Sequence, residues 1–394
     1  MVPSGDKFSR TGAMAWVEQE LLALDREHLR RRLAIRVGAQ RAVSNIGGKE
    51  MINFGSNDYL ALAADPRLTQ AVSQALIDGG WGSGSSPLIT GHSRGHKLLE
   101  ERLAEFENTE AALLFPSGFA VNSGIIAALV GPGDVVYTDR KNHASLLDGC
   151  RLSRADVRPY PHAEPDRLES LLAKSSHYRR RLIVTDSLFS MDGDTAPLVA
   201  IADLADRYGA MLMVDEAHAT GVFGKNGRGV CEELMIEDRV HIRVGTLSKA
   251  MGSIGGFVVG SRQLIELLVN RARPYVFSTA TPEPMVAASL AAMDIIEAEP
   301  ERRTQLLDRS ASLRSSLSGQ GWNVGNSTSQ IIPLIVGSPE RAIALSTELR
   351  EQGLFVPVIR PPTVPDGEAC LRLSMTFGHT EDMLSKLLAA LRHI

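Results

Sequence analysis

Residues 244–256 read Val-Gly-Thr-Leu-Ser-Lys-Ala-Met-Gly-Ser-Ile-Gly-Gly and place one lysine, Lys249, between two apolar runs. The run at 241–245 is β-branched and predicts a buried strand, and a second strand is predicted at 257–259. Glycines at 252, 255 and 256 predict a turn between them. Burial lowers the pKa of an ammonium group and frees the amine as a nucleophile. The stretch therefore predicts a Schiff-base lysine, although a surface turn with a solvated lysine is the commoner structure for such a stretch alone.

Outward from this stretch, short β-branched runs alternate with amphipathic helical runs from about residue 50 to 290. The predicted strands lie at 111–115, 135–138, 182–185, 211–214, 242–244 and 257–259. Such alternation predicts an α/β fold, with a large, mostly parallel sheet covered by helices on both faces. Ligands of these sheets bind beyond the carboxyl ends of the strands.

The chain divides into three predicted parts. Residues 1–50 contain a polar tail, up to about residue 14, and an amphipathic helix from Trp16 to about Arg36. Residues 51–290 form the large domain. Residues 291–394 form a smaller C-terminal α/β domain, with helices near 284–297 and 339–352, a strand at 331–336, extended segments near 355–358 and 371–375, and a terminal helix from Glu381.

Composition restricts the partners and the compartment. The formal net charge of −4 gives no footprint for nucleic acid, and the short basic clusters at 30–32 and 179–181 are typical of solvated faces. Cys150, Cys231 and Cys370 lie far apart, which disfavours disulfides and a zinc site and favours a reducing cytoplasm. No apolar run has the length of a signal peptide or a membrane span. We expect a cytoplasmic protein without nucleic-acid, membrane or metal partners.

Polar motifs follow several predicted strands. Ser117-Gly118 precedes a helix at about 120–130 and would offer backbone N–H groups to an anion, although an ordinary capped helix is the commoner case. Asp215 ends a predicted strand, where a buried carboxylate needs a cationic partner or several hydrogen-bond donors. A protonated pyridine nitrogen or a metal shared with His218 would be such a cation, and the third alternative is that Asp215 is a structural cap. No further metal ligand stands at a suitable spacing, so the metal is disfavoured.

Two weaker signals fall at the same sheet edge. His143 could stack on an aromatic ring, whereas a lone histidine is more often a hydrogen-bonded loop residue, and Ser190 offers a hydroxyl group. Together with Asp215, Lys249 and the Ser117-Gly118 turn, they place an anion cradle, an acid, a flat ring, a hydroxyl and an amine along one edge. That combination suits pyridoxal 5′-phosphate.

Ordered motifs then extend the pattern over almost the whole chain. They are SNDYL (56–60), FPSGFAVN (115–122), NHASLLDG (142–149), SLFSMDGD (187–194), VDEAHATGVFGKNGRG (214–229), GTLSKAMGSIGG (245–256) and IRPPTVPDGEACLRLS (359–374). The chain resembles the α-oxoamine synthases, which are fold-type I pyridoxal-phosphate transferases that condense an amino acid with an acyl-CoA. The resemblance implies a homodimer with shared active sites.

The resemblance also implies a role for each matching residue. Lys249 would hold the cofactor and act as a base, Asp215 would pair with the pyridine nitrogen, and His143 would stack on the ring. The remaining implied contacts are His218 and Ser190 to the phenolic oxygen; Gly118, Phe119 and Thr246 to the phosphate; Ser278 and Thr279 to the neighbouring subunit's phosphate; Arg372 and Asn57 to the amino-acid carboxylate; and Arg30, Arg360 and Thr363 to the acyl substrate.

The C-terminal motif resembles most closely the biotin-pathway members, which join L-alanine to a pimeloyl thioester. A glycine-using member of the family is the alternative, and a catalytically silent fold-type I subunit is disfavoured because the lysine, aspartate and histidine are all present. A nucleotide-binding enzyme of another class is disfavoured because the chain lacks both GxGxxG and GxxxxGK[ST]. Ala61, Met251 and Asn142 depart from the residues common in the family, and they affect packing more than chemistry.

Overall fold

The structure, a computed structural model, describes residues 12–393, so most of the predicted polar tail lies outside the described residues. The helices are α1 (Ala15–Arg26), α2 (Pro66–Gly79), α3 (Arg94–Phe106), α4 (Gly118–Leu129), α5 (Ala144–Ser153), α6 (Pro165–Leu172), α7 (Leu198–Tyr208), α8 (Val230–Glu233), α9 (Arg262–Arg271), α10 (Arg273–Val276), α11 (Glu283–Ala298), α12 (Glu301–Gly319), α13 (Pro339–Glu351) and α14 (Glu381–Arg392), with a π-helical turn at Pro87–Gly91 and a 3-10 turn at Glu237–Arg239. The strands are β1 (Arg36–Val37), β2 (Val43–Ile46), β3 (Lys49–Asn53), β4 (Ala111–Phe115), β5 (Val135–Asp139), β6 (Asp156–Tyr160), β7 (Arg181–Asp186), β8 (Met211–Asp215), β9 (Ile242–Thr246), β10 (Gly256–Gly260), β11 (Ile331–Gly337), β12 (Leu354–Phe355), β13 (Val358–Ile359) and β14 (Ala369–Ser374).

A seven-stranded sheet in the order β4-β10-β9-β8-β7-β5-β6 confirms the predicted mostly parallel sheet. Only β10 runs against its neighbours, pairing antiparallel with both β4 and β9. Both faces are covered, since Leu182 and Val184 on β7 belong to one buried cluster while Ile183 between them belongs to another. Burial on both faces explains why these strands are continuous apolar runs in the sequence.

The N-terminal helix is shorter than predicted, because α1 ends at Arg26 and not near Arg36. His28 adopts a left-handed conformation with φ of 56°, and the N–H of Leu29 bonds to the carbonyl of Leu24 at 2.8 Å, which closes the last turn. No side chain of α1 is buried, so packing does not support a longer helix. The continuing apolar spacing leaves Leu33 fully exposed.

Two smaller sheets flank the central one. Strands β1, β2 and β3 form an antiparallel meander, and β12 from the C-terminal part joins it parallel to β3. The C-terminal strands form a three-stranded antiparallel sheet in the order β11-β14-β13. The sequence prediction missed β1 to β3, the edge strand β6 of the central sheet and the 19-residue helix α12.

The carboxyl ends of the parallel strands bring the polar motifs together. Asp186 at the end of β7 lies opposite Asp215 at the end of β8, and Asp215 pairs in register with Val244 on β9. β9 then leads into the turn that carries Lys249 before β10 returns. Among residues 12–393, no helix combines the length and the apolarity needed to cross a membrane.

Candidate active site

Lys249 lies in a tightly bonded turn between β9 and β10. The N–H of Gly252 donates to the carbonyl of Lys249 at 2.9 Å, and the N–H of Ser253 donates to the carbonyl of Leu247 at 2.9 Å. Gly252 has a φ of 62°, and a Cβ there would lie 2.4 Å from the backbone nitrogen of Ala63, so the turn requires glycine. This geometry fixes the origin of the lysine side chain.

Burial lowers the pKa of Lys249 to about 8, against the opposing charges of Asp215 and Asp186. The positive charge of Arg372 lowers it further. At pH 7 about a tenth of this lysine is therefore a free amine, which is the form that attacks a carbonyl carbon and is far rarer for a lysine with the ordinary pKa.

A chain of hydrogen bonds runs from the lysine across the site. Its Nζ lies 2.9 Å from Nε2 of His218, and Nδ1 of His218 lies 2.6 Å from the hydroxyl of Tyr59. Burial, together with the charges of Lys249 and Arg372, lowers the pKa of His218 well below its ordinary value. The imidazole is therefore neutral, and it connects an amine to a phenol.

Arg372 on β14 closes the far end of this chain. Its Nη1 donates to Oδ1 of Asn57 at 3.1 Å, its Nε donates to the carbonyl of Ser190 at 2.6 Å, and Asn57 Oδ1 lies 3.4 Å from the hydroxyl of Tyr59. Arg372 as a whole is 5% exposed. Among the described residues no carboxylate forms a salt bridge with it, so a buried positive charge is left available to an anionic ligand.

Asp215 is held from two sides. Its Oδ1 accepts the N–H of Ala217 at 2.8 Å, and its Oδ2 accepts Nδ2 of Asn122, on α4, at 2.6 Å. Nδ2 of Asn122 also lies 2.9 Å from Oγ of Ser145, which in turn lies 2.7 Å from Nδ1 of His143. The acid and the flat ring are thus connected through two side chains.

His143 is an exposed residue, but neighbouring protein atoms shield its imidazole from part of the water. This partial burial lowers the pKa of the imidazole. The backbone N–H of His143 donates to Oδ2 of Asp186 at 2.7 Å. Burial and the charge of Asp215 raise the pKa of Asp186 well above its ordinary value. An uncharged, open imidazole face is suited to stack on an aromatic ring.

The N-terminus of α4 has the geometry that the predicted anion site requires. Ser117 caps the helix through Oγ, which accepts the N–H of Ala120 at 3.2 Å, so the N–H groups of Gly118 and Phe119 lie in the first turn without a helical acceptor. Thr246 lies against this turn, because a Cβ on Gly118 would be 3.6 Å from its Oγ1.

The other predicted residues lie farther out. Ser278 and Thr279 line a small cavity with Phe115 and Pro116, just before the α4 cradle. Thr363 lines a cavity of about 750 Å³ together with His143 and Ser190.

Arg30 and Arg360 do not reach His143 or Lys249. Arg30 bonds to Asp25 at 2.5 Å, and Arg360 bonds to the backbone carbonyls of His28 and Arg30. Arg360 instead lines a neighbouring cavity of about 730 Å³, which shares Thr363 with the first. A cavity of about 840 Å³ elsewhere, along 222–238 and 300–308, contains none of the predicted residues.

The donor set fits pyridoxal phosphate. It combines an amine with a depressed pKa, a buried carboxylate, an open neutral ring face and unsatisfied N–H groups at a helix N-terminus.

Comparison with known proteins gives the same assignment. The family model "Aminotransferase class I and II" matches residues 49–391. The 8-amino-7-oxononanoate synthase of Anaeromyxobacter dehalogenans (strain 2CP-1 / ATCC BAA-258) is 49% identical over 380 residues, which is 96% of this chain and 95% of that protein. The chain belongs to the α-oxoamine synthases.

Solved structures agree with this membership. A serine palmitoyltransferase variant from S. paucimobilis, with a bound PLP–myriocin aldimine, is 31% identical, has a TM-score of 0.91 and covers 96% of each chain. The 8-amino-7-oxononanoate synthase of Francisella tularensis is 29% identical, has a TM-score of 0.76 and covers 87% of this chain and 97% of that one. This α-oxoamine synthase is a fold-type I transferase that uses pyridoxal phosphate.

Sequence reasoning missed four residues of this α-oxoamine synthase site: Tyr59, Asn122, Ser145 and Asp186. The first three stand inside the motifs SNDYL, FPSGFAVN and NHASLLDG, and Asp186 directly precedes SLFSMDGD. Their types alone gave no signal, because asparagine, aspartate and serine are common at turns and helix caps and tyrosine is common in hydrophobic cores. Only the pairing of β7 with β8 brings Asp186 beside Asp215.

Proposed function

We propose that this chain catalyses the decarboxylative condensation of L-alanine with a pimeloyl thioester, giving 8-amino-7-oxononanoate, CO2 and the free thiol, in biotin biosynthesis. The observation that carries the proposal is a lysine with a depressed pKa joined through His218, Tyr59 and Asn57 to a buried arginine without a counter-ion. The choice of substrates within the family is supported by the relatives that share 44–49% of their residues with this chain and bear the name 8-amino-7-oxononanoate synthase.

When bound, pyridoxal phosphate supplies a ring that takes up the electron pair left at the amino-acid Cα. In this proposal Lys249 holds its aldehyde carbon, Asp215 keeps its nitrogen protonated and His143 stacks on its face. The proposed contacts to the rest of the cofactor are His218 and Ser190 at the phenolic oxygen, Gly118, Phe119 and Thr246 at the phosphate, and Ser278 and Thr279 at the phosphate of a second copy of the chain.

Arg372 and Asn57 orient the amino acid in the proposed mechanism. Because Arg372 is free of carboxylate partners, it can bind the α-carboxylate through two parallel hydrogen bonds, which fixes rotation about the Cα–N bond. The Nζ of Lys249 then takes the Cα proton as a free amine, and later returns a proton to carbon after CO2 has left. The proposed large domain, residues 51–290, supplies the lysine, and the proposed small domain, residues 291–394, supplies the arginine.

The acyl chain of the thioester lies, in this proposal, toward Arg30, Arg360 and Thr363. Thr363 supports that direction, since it lines both the cavity that contains His143 and the neighbouring cavity that contains Arg360. The neighbouring cavity is lined by apolar residues such as Ile35 and Val358 and also by arginines, among them Arg31 and Arg360.

We propose a homodimer in which the two copies share their sites. Ile89 in the π-helical turn is 77% exposed and Phe277 after α10 is 70% exposed, and these two segments pack on each other. Phe277 immediately precedes Ser278 and Thr279, so an apolar patch surrounds the residues assigned to the second copy. We place the enzyme in the cytoplasm, which is supported by the three cysteines, all unpaired and buried.

Steady-state kinetics of the holoenzyme test this function. We expect kcat/KM to be highest for L-alanine with pimeloyl-CoA or a pimeloyl carrier protein, because apolar side chains that could contact a long acyl chain line part of the neighbouring cavity. A preference for glycine with acetyl-CoA would refute the proposed substrates and identify a glycine-using member. A holoenzyme indistinguishable from Lys249→Ala with every pair would identify a catalytically silent subunit.

A further inference from the structure

His162 lies behind the active site, in the turn between β6 and α6, and its ring is held between two carboxylates. Its Nδ1 lies 3.1 and 3.2 Å from the two carboxylate oxygens of Asp139, and its Nε2 lies 3.0 Å from Oδ2 of Asp194. The ring edge also contacts Phe189, with a centroid distance of 4.4 Å. None of the sequence motifs or proposed roles uses this histidine.

The geometry requires a charged ring. Ionised carboxylates only accept hydrogen bonds, so both nitrogens of His162 must donate, and the ring is an imidazolium. Burial alone would lower the pKa of His162, but the hydrogen bonds to Asp139 and Asp194 outweigh burial and raise the pKa to about 9. The nearby cation Lys141 is already paired with Asp192 at 2.6 Å.

The first of the two carboxylates organises the turn that leads to His143. Asp139, at the end of β5, accepts the N–H of Lys141 at 2.8 Å and the N–H of Ala163 at 2.9 Å, while its carbonyl accepts the N–H of Asn142 at 3.2 Å. The position of the imidazole face of His143 therefore depends on how Asp139 is held.

The second carboxylate belongs to Asp194, whose backbone helps to close the loop that carries Ser190. The N–H of Phe189 donates to the carbonyl of Asp194, and the N–H of Gly193 donates to the carbonyl of Phe189, each at 2.9 Å. Ser190 lies inside this closed loop, and its carbonyl accepts Nε of Arg372 at 2.6 Å. A shift of the loop would therefore move the guanidinium.

We propose that His162 is a positioning residue: its imidazolium ties the His143 turn to the Ser190 loop and so sets the place of Arg372 for the amino-acid substrate. This inference rests on the proposed function, in which Arg372 binds the α-carboxylate. His162 acts on the reaction only through these neighbours and touches neither the cofactor nor the substrate.

The test compares the holoenzyme of His162→Gln with wild type and with His177→Gln, an exposed histidine outside the site. The readouts are the KM for L-alanine, kcat at saturating alanine, and an alanine titration followed by cofactor absorbance, with thermal unfolding as the check on folding. A misplacement of about 1 Å can cost about a hundredfold, and the loss of His162 should shift Arg372 by less than that. We therefore expect the KM for alanine and the titration midpoint of His162→Gln to rise about tenfold. We expect kcat to change much less, and His177→Gln to match wild type.

A folded His162→Gln protein with the alanine KM and titration midpoint of wild type would overturn the inference, even if its unfolding temperature fell, because only a structural role would remain. If His162→Gln does not fold, Asp194→Asn carries the same test, since it removes the charge of one of the two carboxylates and leaves the pair of His162 with Asp139. The proposed function is judged separately, by turnover of alanine in the wild type.

Discussion

Replacing Lys249 by methionine should stabilise the cofactor-free protein near neutral pH, although it removes the central amine. The replacement keeps an unbranched side chain that is one atom shorter and removes its charge. Burial disfavours the ammonium form in the folded chain, where the pKa of Lys249 falls from 10.5 to about 8. The unfolded chain then binds more protons than the folded one between these two values, so wild-type stability rises with pH in that window.

The size of the effect follows from the pKa difference. At about 1.4 kcal/mol for each unit, the lysine destabilises the folded chain by about 3 kcal/mol at pH 7 and by about 1.4 kcal/mol at pH 9.5. The hydrogen bond between Lys249 and His218 is lost in the variant at both pH values, so it cancels in the comparison.

Urea unfolding of both cofactor-free proteins at pH 7 and pH 9.5 measures this difference. We expect the advantage of Lys249→Met over wild type to shrink by about 2 kcal/mol between pH 7 and pH 9.5. Lys225→Met, at a loop lysine outside the site, is the matched control and should show no such change. A difference for Lys249→Met that does not vary with pH would refute the buried, depressed amine.

Three further outcomes are expected. Asp215→Asn should lower kcat by about three orders of magnitude or more, since a neutral amide loses several pKa units of support for a protonated ring nitrogen; near-normal turnover would contradict this role. Arg372→Lys should raise the KM for L-alanine by about tenfold or more, because a point charge replaces a bidentate fork; an unchanged KM would exclude Arg372 from carboxylate binding. Gly193→Ala should lower the unfolding temperature by several degrees and reduce activity, because its Cβ would lie 2.0 Å from the carbonyl oxygen of Ile331 at a φ of 70°. Gly209→Ala, with a φ of 59° and no atom within 4 Å, should have a much smaller effect, and equal losses would argue against that contact.

The central strands were predictable because each is an apolar run bounded by turn residues. The six strands expected from the pattern all occur, with ends shifted by one or two residues. Strands β1 to β3 were missed because they are short, polar on one side and stabilised by pairing with β12, more than 300 residues away in the chain. The helix predicted beyond Arg26 was wrong. The helical spacing of apolar residues continues to Leu33, but Leu33 is fully exposed and no side chain of α1 is buried, so packing does not support a longer helix.

The site was predictable residue by residue but not in its connections. Lys249, Asp215 and His143 follow strands whose ends meet at one sheet edge, so their proximity follows from the topology. The bond from Asn122 to Asp215 and the link from Tyr59 to His218 join segments far apart in sequence, and no local pattern encodes them.

By itself, then, the sequence determined the α/β class, the family, the cofactor and the lysine that holds it, because strand periodicity and ordered motifs are local properties. The tertiary structure decided which form each group takes. Burial and neighbouring charge, which depend on the whole packed chain, depress the pKa values of Lys249 and His218 and raise the pKa of Asp186, and they leave Arg372 buried with no carboxylate partner among the described residues. The clamp of Asp139 and Asp194 around His162 likewise exists only once β5, β6 and the Ser190 loop have come together.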